Sequence, residues 1–520
     1  LSGVGYKNDK RAICVNNLAR GGKILASIWG MIGVSQAAMT WERQKLGSLP
    51  CKDRIIPAGD MRIESYCEDT MMRGEPDAVL VARDSAEIAE ALTYCNACGI
   101  PVTFCASQTS MTGASVATEG LLISTERIEG VIDIRDEEGS PVAKVKSGTV
   151  TAALQAEVEK TGFFFPVAPT SRDDCRIGGN VATNATGEDS YKYGPLRGYV
   201  KRLDIILPDG SKKTLERGKG ELPTAERNRG GYYTGWKDEI DLIIGSEGTL
   251  AYVSDVTLKL IPGRPPRFFS ALIPLESNAR ALDLVLALAS GEAGLSARAL
   301  ELIDSSALAL MKTAQGFPQI PDSIRAFIYV KQEYADEAER DRHLTRWYEA
   351  MLPFSGQELI DHLIVGLTRD EQERIRLWRH RIPEAANEIG RKYWPAGGGK
   401  IGSDWWVPIA KLREMIEYFY ARAESTRLPY MRYAHIGAGH PHTNFMAQGP
   451  KEKEIAHQAL LACCRKAVEL GGGVAGEHGL GKLHTDLLPI QHSAEVIDKM
   501  KEWKRTYDPN WILGRGNIFA

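Results

Sequence analysis

The sequence predicts an α+β fold, and three observations carry the prediction. An apolar run, Ala78-Val79-Leu80-Val81-Ala82-Arg83, is followed by a helical pattern and a second extended run from Pro101 to Cys105. Leu203 to Leu207 and Lys212 to Leu215 flank a Pro208-Asp209-Gly210 turn, the pattern of a hairpin. Beyond Pro262-Gly263-Arg264-Pro265-Pro266, strand-like runs (Phe268 to Ile273, Arg325 to Val330) alternate with long amphipathic helices such as Asp336 to Met351. That second region reads as an α+β layer whose sheet is covered by helices on one side.

Each element has a local reason. Asp84 is placed to cap a helix, with Glu87 three residues on as in a capping box, and Ile88, Ala91, Leu92 and Cys95 share one helical face. Val142 to Val150 reads as a strand and Ala152 to Lys160 as a helix. The small-residue run Gly178 to Gly187 suits close approach to a phosphate or an aromatic ring. Asp241 to Ile244 reads as a strand entering the turn Gly245-Ser246-Glu247-Gly248-Thr249.

The 520 residues suggest roughly 2–4 domains. A formal charge of -3 gives no electrostatic reason to expect nucleic acid. Nine scattered cysteines form no disulfide framework and point to a reducing, cytoplasmic home. Cys95 with Cys98, and Cys463 with Cys464, read as small buried helix residues, and no four-cysteine run exists for an iron–sulfur cluster. Ile24 to Trp41, uncharged after Lys7, Lys10, Arg11, Arg20 and Lys23, reads first as a helix packed on the protein or a neighbouring subunit. Peripheral membrane contact is the second reading.

The chemistry concentrates in two glycine-rich segments, His435-Ile436-Gly437-Ala438-Gly439-His440-Pro441-His442 and Gly476-Glu477-His478-Gly479-Leu480-Gly481-Lys482. In a continuous strand His435 and His442 would face opposite ways. Gly437 and Gly439 let the chain turn so that both converge. Three histidines beside a Gly-Glu-His-Gly loop suit a zinc or manganese ion, with His440 a substitute ligand. Glu477 and His478 are adjacent, so one ligates while the other faces a substrate. The Gly-x-x-x-x-Gly-Lys pattern of Gly476 to Lys482 ends in Leu483 instead of Ser or Thr, which argues against nucleotide hydrolysis. Arg379, and behind it Arg381, suits a carboxylate ligand through bidentate geometry. Trp405-Trp406 reads as core or cap packing.

Taken in order, Thr109-Ser110-x-x-Gly113, Pro169-Thr170-Ser171, Gly178-Gly179-Asn180-x-Ala182-Thr183-Asn184-Ala185, Gly245 to Leu250, and the two segments above resemble the FAD-linked oxidases of the vanillyl-alcohol-oxidase fold. The D-2-hydroxyacid dehydrogenase branch, acting on D-lactate, glycolate or D-2-hydroxyglutarate, is the most similar. The resemblance implies a PCMH-type two-subdomain FAD-binding domain over 60–262, after an N-terminal extension over 1–59. It also implies an α+β, ferredoxin-like cap over 263–483 and a C-terminal segment over 484–520 that returns to the flavin. It implies FAD held by Thr109, Ser110, Gly113, Thr170, Ser171, Gly179, Asn180, Thr183, Gly248 and Thr249. A divalent metal falls to His435, His442 and Glu477, the catalytic base to His478, and substrate contacts to Arg379, Asn444 and Lys400.

The implied reaction takes a D-2-hydroxy acid to its 2-oxo acid, with hydride passing to flavin N5 and the hydroxyl proton to His478. Electrons would leave to an acceptor protein or quinone, with the chain a homo-oligomer or a complex subunit. Two other readings of the same residues stand: an FAD-binding electron-transfer or scaffold subunit, and a flavin oxidase of an alcohol without a carboxylate. The sequence departs from the family at Cys105-Ala106-Ser107-Gln108, where Arg-Gly-Gly-Gly is usual. Ala438 and His440 replace an Asp and an Asn, and Gly514-Arg515-Gly516 replaces Asn-Pro-Gly.

Overall fold

The computed structural model describes residues 43–218, 229–291 and 294–520. The Ile24 to Trp41 segment lies outside them. The described residues form one compact unit.

The first sheet contains β1 (Ile55–Pro57), β2 (Ala78–Val81), β3 (Val102–Cys105) and β4 (Leu121–Ser124), in the order β1-β2-β4-β3. The pairs β2–β4 and β3–β4 are parallel, as the strand–helix–strand pattern requires. The connecting helix Ser85–Cys98 starts as expected, with the Asp84 carboxylate accepting the Glu87 N–H. The Glu87 side chain, however, accepts from the Arg83 N–H at 2.8 Å instead of closing the box on Asp84. Ile88, Ala91, Leu92 and Cys95 are fully buried.

The second sheet runs β5-β6-β10-β8-β9. It contains β5 (Val131–Glu137), β6 (Ser140–Lys146), β8 (Val200–Ile206), β9 (Lys212–Glu216) and β10 (Tyr252–Lys259); a two-residue pair joins β7 (Phe163–Phe164) to β11 (Ile261–Pro262). The expected hairpin is the antiparallel β8–β9 pair. Asp241 to Ile244, read from sequence as a strand, falls instead at the helix Glu239–Ile243. A short apolar run does not by itself distinguish the two. Here Asp241 is buried and captured by Arg197 and Arg217 at 2.9 and 2.7 Å, which fixes the turn.

The third sheet has seven strands in the order β15-β12-β14-β13-β17-β18-β16. They are β12 (Arg267–Leu275), β13 (Ala297–Ile303), β14 (Ala326–Tyr334), β15 (Ile364–Gly366), β16 (Gly399–Ser403), β17 (Tyr430–His435) and β18 (His440–Ala447). The first four, with helices Asn278–Ala289 and Glu337–Ser355 between them, follow the βαββαβ ferredoxin-like plan. Helices cover both faces of this sheet, not one. Ala326, Ile328 and Val330 pack in one core with Trp347 and Met351. Phe327 and Tyr329 point the other way, into a core with Ile375, Trp378 and Ile382 of helix Arg369–Tyr393. A strand buried on both sides reads as a continuous apolar run, and the unbroken run over residues 326–330 is that pattern. The expected α+β class is borne out.

Candidate active site

The β17–β18 hairpin builds one wall of the site. Its register sets His435 opposite His440 and Tyr433 opposite His442, so side chains separated by five or nine positions share one face. The turn depends on Gly439, at φ +66, where a Cβ would lie 2.0 Å from the Val407 carbonyl oxygen. Strand β16 pairs with β18, and its continuation brings Asp404 beside Ala475. There the Asp404 backbone carbonyl accepts the Gly476 N–H at 2.6 Å. Its carboxylate Oδ2 accepts the N–H groups of Glu477 and His478 at 2.9 and 2.8 Å. One residue thus holds the Gly-Glu-His loop against the hairpin.

Two carboxylates and four imidazoles meet as a result. Glu477 Oε1 lies 3.0 Å from His442 Nε2, 3.4 Å from His478 Nε2 and 3.6 Å from His435 Nε2. Asp404 Oδ1 lies 2.8 Å from His440 Nε2, 3.0 Å from His478 Nδ1 and 3.7 Å from His442 Nδ1. The three residues expected at a metal, His435, His442 and Glu477, are therefore together. A second donor set, Asp404, His440, His442 and Glu477, offers ligand atoms all within 4.8 Å of one another. The N/O chemistry of both sets fits a divalent cation.

The cluster's electrostatics follow from burial opposed by pairing. Burial pushes the Asp404 carboxyl up, but the His478 and His440 imidazoles outweigh it and hold it well below the usual range. His435 is driven down by burial and more strongly up by Glu301 and Glu477, to about 9. Burial dominates at His442 and takes it to about 3. At His478 burial lowers the value, and Asp404 more than reverses it.

In front of the cluster runs a cavity of about 600 Å³. Of the expected cofactor residues, Thr109, Ser110, Thr170, Ser171, Gly179, Asn180, Thr183 and Gly248 line it. Gly113 and Thr249 do not. The Gly113 N–H donates to Asp69 Oδ2 at 2.9 Å, and the Thr249 hydroxyl is spent on Tyr232 and the Ser246 carbonyl. Ser115 Oγ, on the cavity wall and buried, has no hydrogen-bond partner, as expected of a group that meets a bound polar cofactor. Gly179 has open space where a Cβ would stand. Gln108 occupies the left-handed region at φ 50, which explains why glycine suits this position. Its amide donates to the Tyr66 carbonyl at 2.7 Å, and the residue lines the cavity.

Arg379 lines the cavity and is 3% exposed, with its Nε donating to Glu301 Oε2 at 2.7 Å. Arg381 points elsewhere, to Glu388 at 2.8 Å. Asn444 and Lys400 line a smaller adjoining cavity of about 40 Å³ that also borders His442, His478 and Asp404. Lys400 Nζ donates to Asn387 Oδ1 at 2.5 Å, burial lowers it to about 8, and Asn444 Nδ2 has no partner. Trp405 is wholly buried in the core, as expected. Sequence reasoning missed Asp404, Glu301 and Asn387. A lone carboxylate inside Ala-Leu-Glu-Leu-Ile (residues 299–303), and another just before two tryptophans, were the signals available.

A cavity of about 600 Å³ lined by small and hydroxyl residues, and faced by His478, Arg379 and a candidate metal cluster, suits a flavin-dependent oxidoreductase. Two family models match the chain: an FAD binding domain over residues 76–216 and the C-terminal domain of FAD linked oxidases over 264–518. An uncharacterised FAD-linked oxidoreductase of Mycobacterium tuberculosis is 30% identical over 473 residues, 89% of this chain and 95% of that protein. The glycolate oxidase subunit GlcD of Bacillus subtilis is 29% identical, over 88% of this chain and 92% of its own length. A D-lactate dehydrogenase of Anaerostipes hadrus is 26% identical, over 89% and 94%. The fold is shared with a 4-ethylphenol oxidase from Gulosibacter chungangensis: TM-score 0.67, 16% identity, 92% of this chain and 96% of that one. The chain belongs to the FAD-linked oxidase family, and its cofactor is FAD. Among the described residues no helix is long and apolar enough to cross a membrane.

Proposed function

We propose that this protein oxidises a D-2-hydroxy acid to the 2-oxo acid, with a zinc or manganese ion held by His435, His442 and Glu477. The observation that carries the reading is the convergence of those three residues and His478 on one wall of the FAD cavity, with buried Arg379 on the same cavity. FAD, when bound, would supply the two-electron oxidant for the C2–H bond, and a cation held by His435, His442 and Glu477 would polarise the substrate hydroxyl.

The chain's own residues do the rest. His478 has its Nδ1 turned to Asp404 at 3.0 Å, which fixes the ring and leaves Nε2 toward Glu477 and the substrate side. It takes the hydroxyl proton as the C2–H bond breaks, so hydride and proton leave together and the 2-oxo acid remains. Arg379 binds the C1 carboxylate. Lys400 and Asn444 bind acceptor groups of the substrate from the adjoining cavity. The relatives named as glycolate oxidase subunit and D-lactate dehydrogenase support a hydroxy-acid substrate. The first also supports passage of electrons to a partner protein, with a quinone the other candidate acceptor.

The testing experiment is anaerobic titration of the FAD-loaded protein with glycolate and both enantiomers of lactate, malate and 2-hydroxyglutarate. Bleaching of the flavin by a D-enantiomer or glycolate, and not by the L-forms, is expected. Bleaching by a phenol or simple alcohol, with none by any hydroxy acid, would overturn the reading.

A further inference from the structure

We infer that Glu301 is a positioning residue that ties the metal-facing imidazole of His435 to the guanidinium of Arg379, so that one carboxylate sets both halves of the substrate site. The inference rests on the roles proposed above for those two residues.

Strand β13 pairs with β17 with Leu302 opposite Ala434, which brings Glu301 alongside His435. The Glu301 side chain is 4% exposed, so neither oxygen is answered by bulk water. Oε1 accepts from His435 Nδ1 at 2.7 Å, and Oε2 accepts from Arg379 Nε at 2.7 Å. Each contact orients its partner. A proton held on His435 Nδ1 leaves Nε2, 3.6 Å from Glu477 Oε1, as the nitrogen free to ligate. Fixing Arg379 by its Nε leaves the Nη edge toward the cavity, where Nη1 reaches Thr170 Oγ1 at 3.3 Å. The substrate's carboxylate and hydroxyl thus meet two groups whose separation is set by a single side chain on a central strand.

This role differs from simple packing because only a carboxylate accepts from both donors. In Glu301→Gln one oxygen remains, and the new NH₂ faces either His435 or Arg379 donor to donor. Affinity for metal and affinity for substrate carboxylate are then linked through one residue, and such linkage is reciprocal.

The test uses FAD-loaded protein. Zinc dissociation constants are measured by competition with a chromophoric chelator, and KM and kcat with the hydroxy acid that bleaches the flavin. FAD content and thermal melting report folding. Glu301→Gln is expected to weaken zinc by ~10–100-fold, or to raise KM by a comparable factor, at unchanged FAD content. Arg379→Gln, which touches no metal ligand and keeps a donor for Glu301, is expected to shift the zinc constant when Glu301 is present and not in the Glu301→Gln background. A zinc constant and KM both within about twofold of wild type in Glu301→Gln overturn the inference, as does an equal Arg379→Gln shift in both backgrounds. Wild-type protein that takes up no zinc or manganese overturns the metal reading itself, and is distinguished by failing before any variant is compared.

Discussion

Asp404→Asn tests the site most directly, because Asp404 receives four donors on two oxygens. Oδ2 accepts two backbone N–H groups, from Glu477 and His478; Oδ1 accepts from the rings of His440 and His478. Asparagine keeps one oxygen and puts an NH₂ where the other stood. Either both backbone N–H groups of the loop or both imidazoles lose their acceptor and face a donor. Hydrogen bonds to a charged group contribute about 1.5–3 kcal/mol each, so two losses amount to about 3–6 kcal/mol. The side chain is 12% exposed, and partial access to water puts the expected loss at the lower end, about 3–4 kcal/mol. The catalytic consequence is separate. With its Nδ1 partner gone or its backbone displaced, His478 no longer holds the geometry that its proposed role as base requires. That role is worth ~10²–10⁴ in rate. Urea unfolding of the FAD-loaded protein and stopped-flow flavin reduction give the two numbers. Stability within about 1 kcal/mol of wild type, together with reduction within about tenfold, would refute the assignment of Asp404 as the clamp of the loop.

Other consequences follow from the same geometry. His478→Ala should slow flavin reduction by ~10²–10⁴ while FAD stays bound, measured by stopped flow and by the visible spectrum of the dialysed protein. Lys400 is lowered by burial to about 8 from 10.5, so the unfolded chain binds more protons than the folded one between those values. Its contribution makes stability rise with pH across that window, while KM for an acidic substrate rises above about 8 as the ammonium is lost. Lys400→Met should remove the stability slope and raise KM at neutral pH, read by urea melts and kinetics across pH 7–11. Gln108→Gly relieves about 1–2 kcal/mol of left-handed strain but gives up the hydrogen bond to the Tyr66 carbonyl and adds entropy to the unfolded chain. Stability should therefore stay within about 1 kcal/mol of wild type in urea melts. Removal of metal by a chelator should suppress flavin reduction by substrate and leave FAD content unchanged, with activity restored by zinc or manganese.

Elements with local causes were legible in the sequence. The Asp84 cap, the buried stripe of helix Ser85–Cys98 and the β8–β9 hairpin each depend on residues a few positions apart. Asp241 to Ile244 misled because its outcome depends on Arg197 and Arg217, about 44 and 24 positions away, whose guanidiniums draw the aspartate into a buried helical turn. The two-sided cover of β14 was present in the sequence as an unbroken apolar run. Residues 326–330 are apolar at every position, and only the packed helices reveal which neighbours each face meets.

The candidate site divides along the same line. His435, His442, Glu477 and His478 stood out because glycines around them mark turns, and the hairpin register brings the two strand histidines onto one face as those turns suggested. Asp404 and Glu301 carry no such mark. Each acquires its contacts from strand pairing, Asp404 by the run from β16 to Ala475 and Glu301 by the β13–β17 register. Both are carboxylates within apolar or aromatic sequence, and a buried charge without a partner is costly enough that each implies a distant cation or donor set. Sequence can pose that demand without naming who meets it. Here the answering groups lie in the candidate site: Asp404 holds His478 and His440, and Glu301 holds His435 and Arg379. The replacement of the family's usual Asn by His440 is absorbed the same way, since its imidazole donates to Asp404 at 2.8 Å. With His440 paired in this way, His435, His442 and Glu477 still face one another.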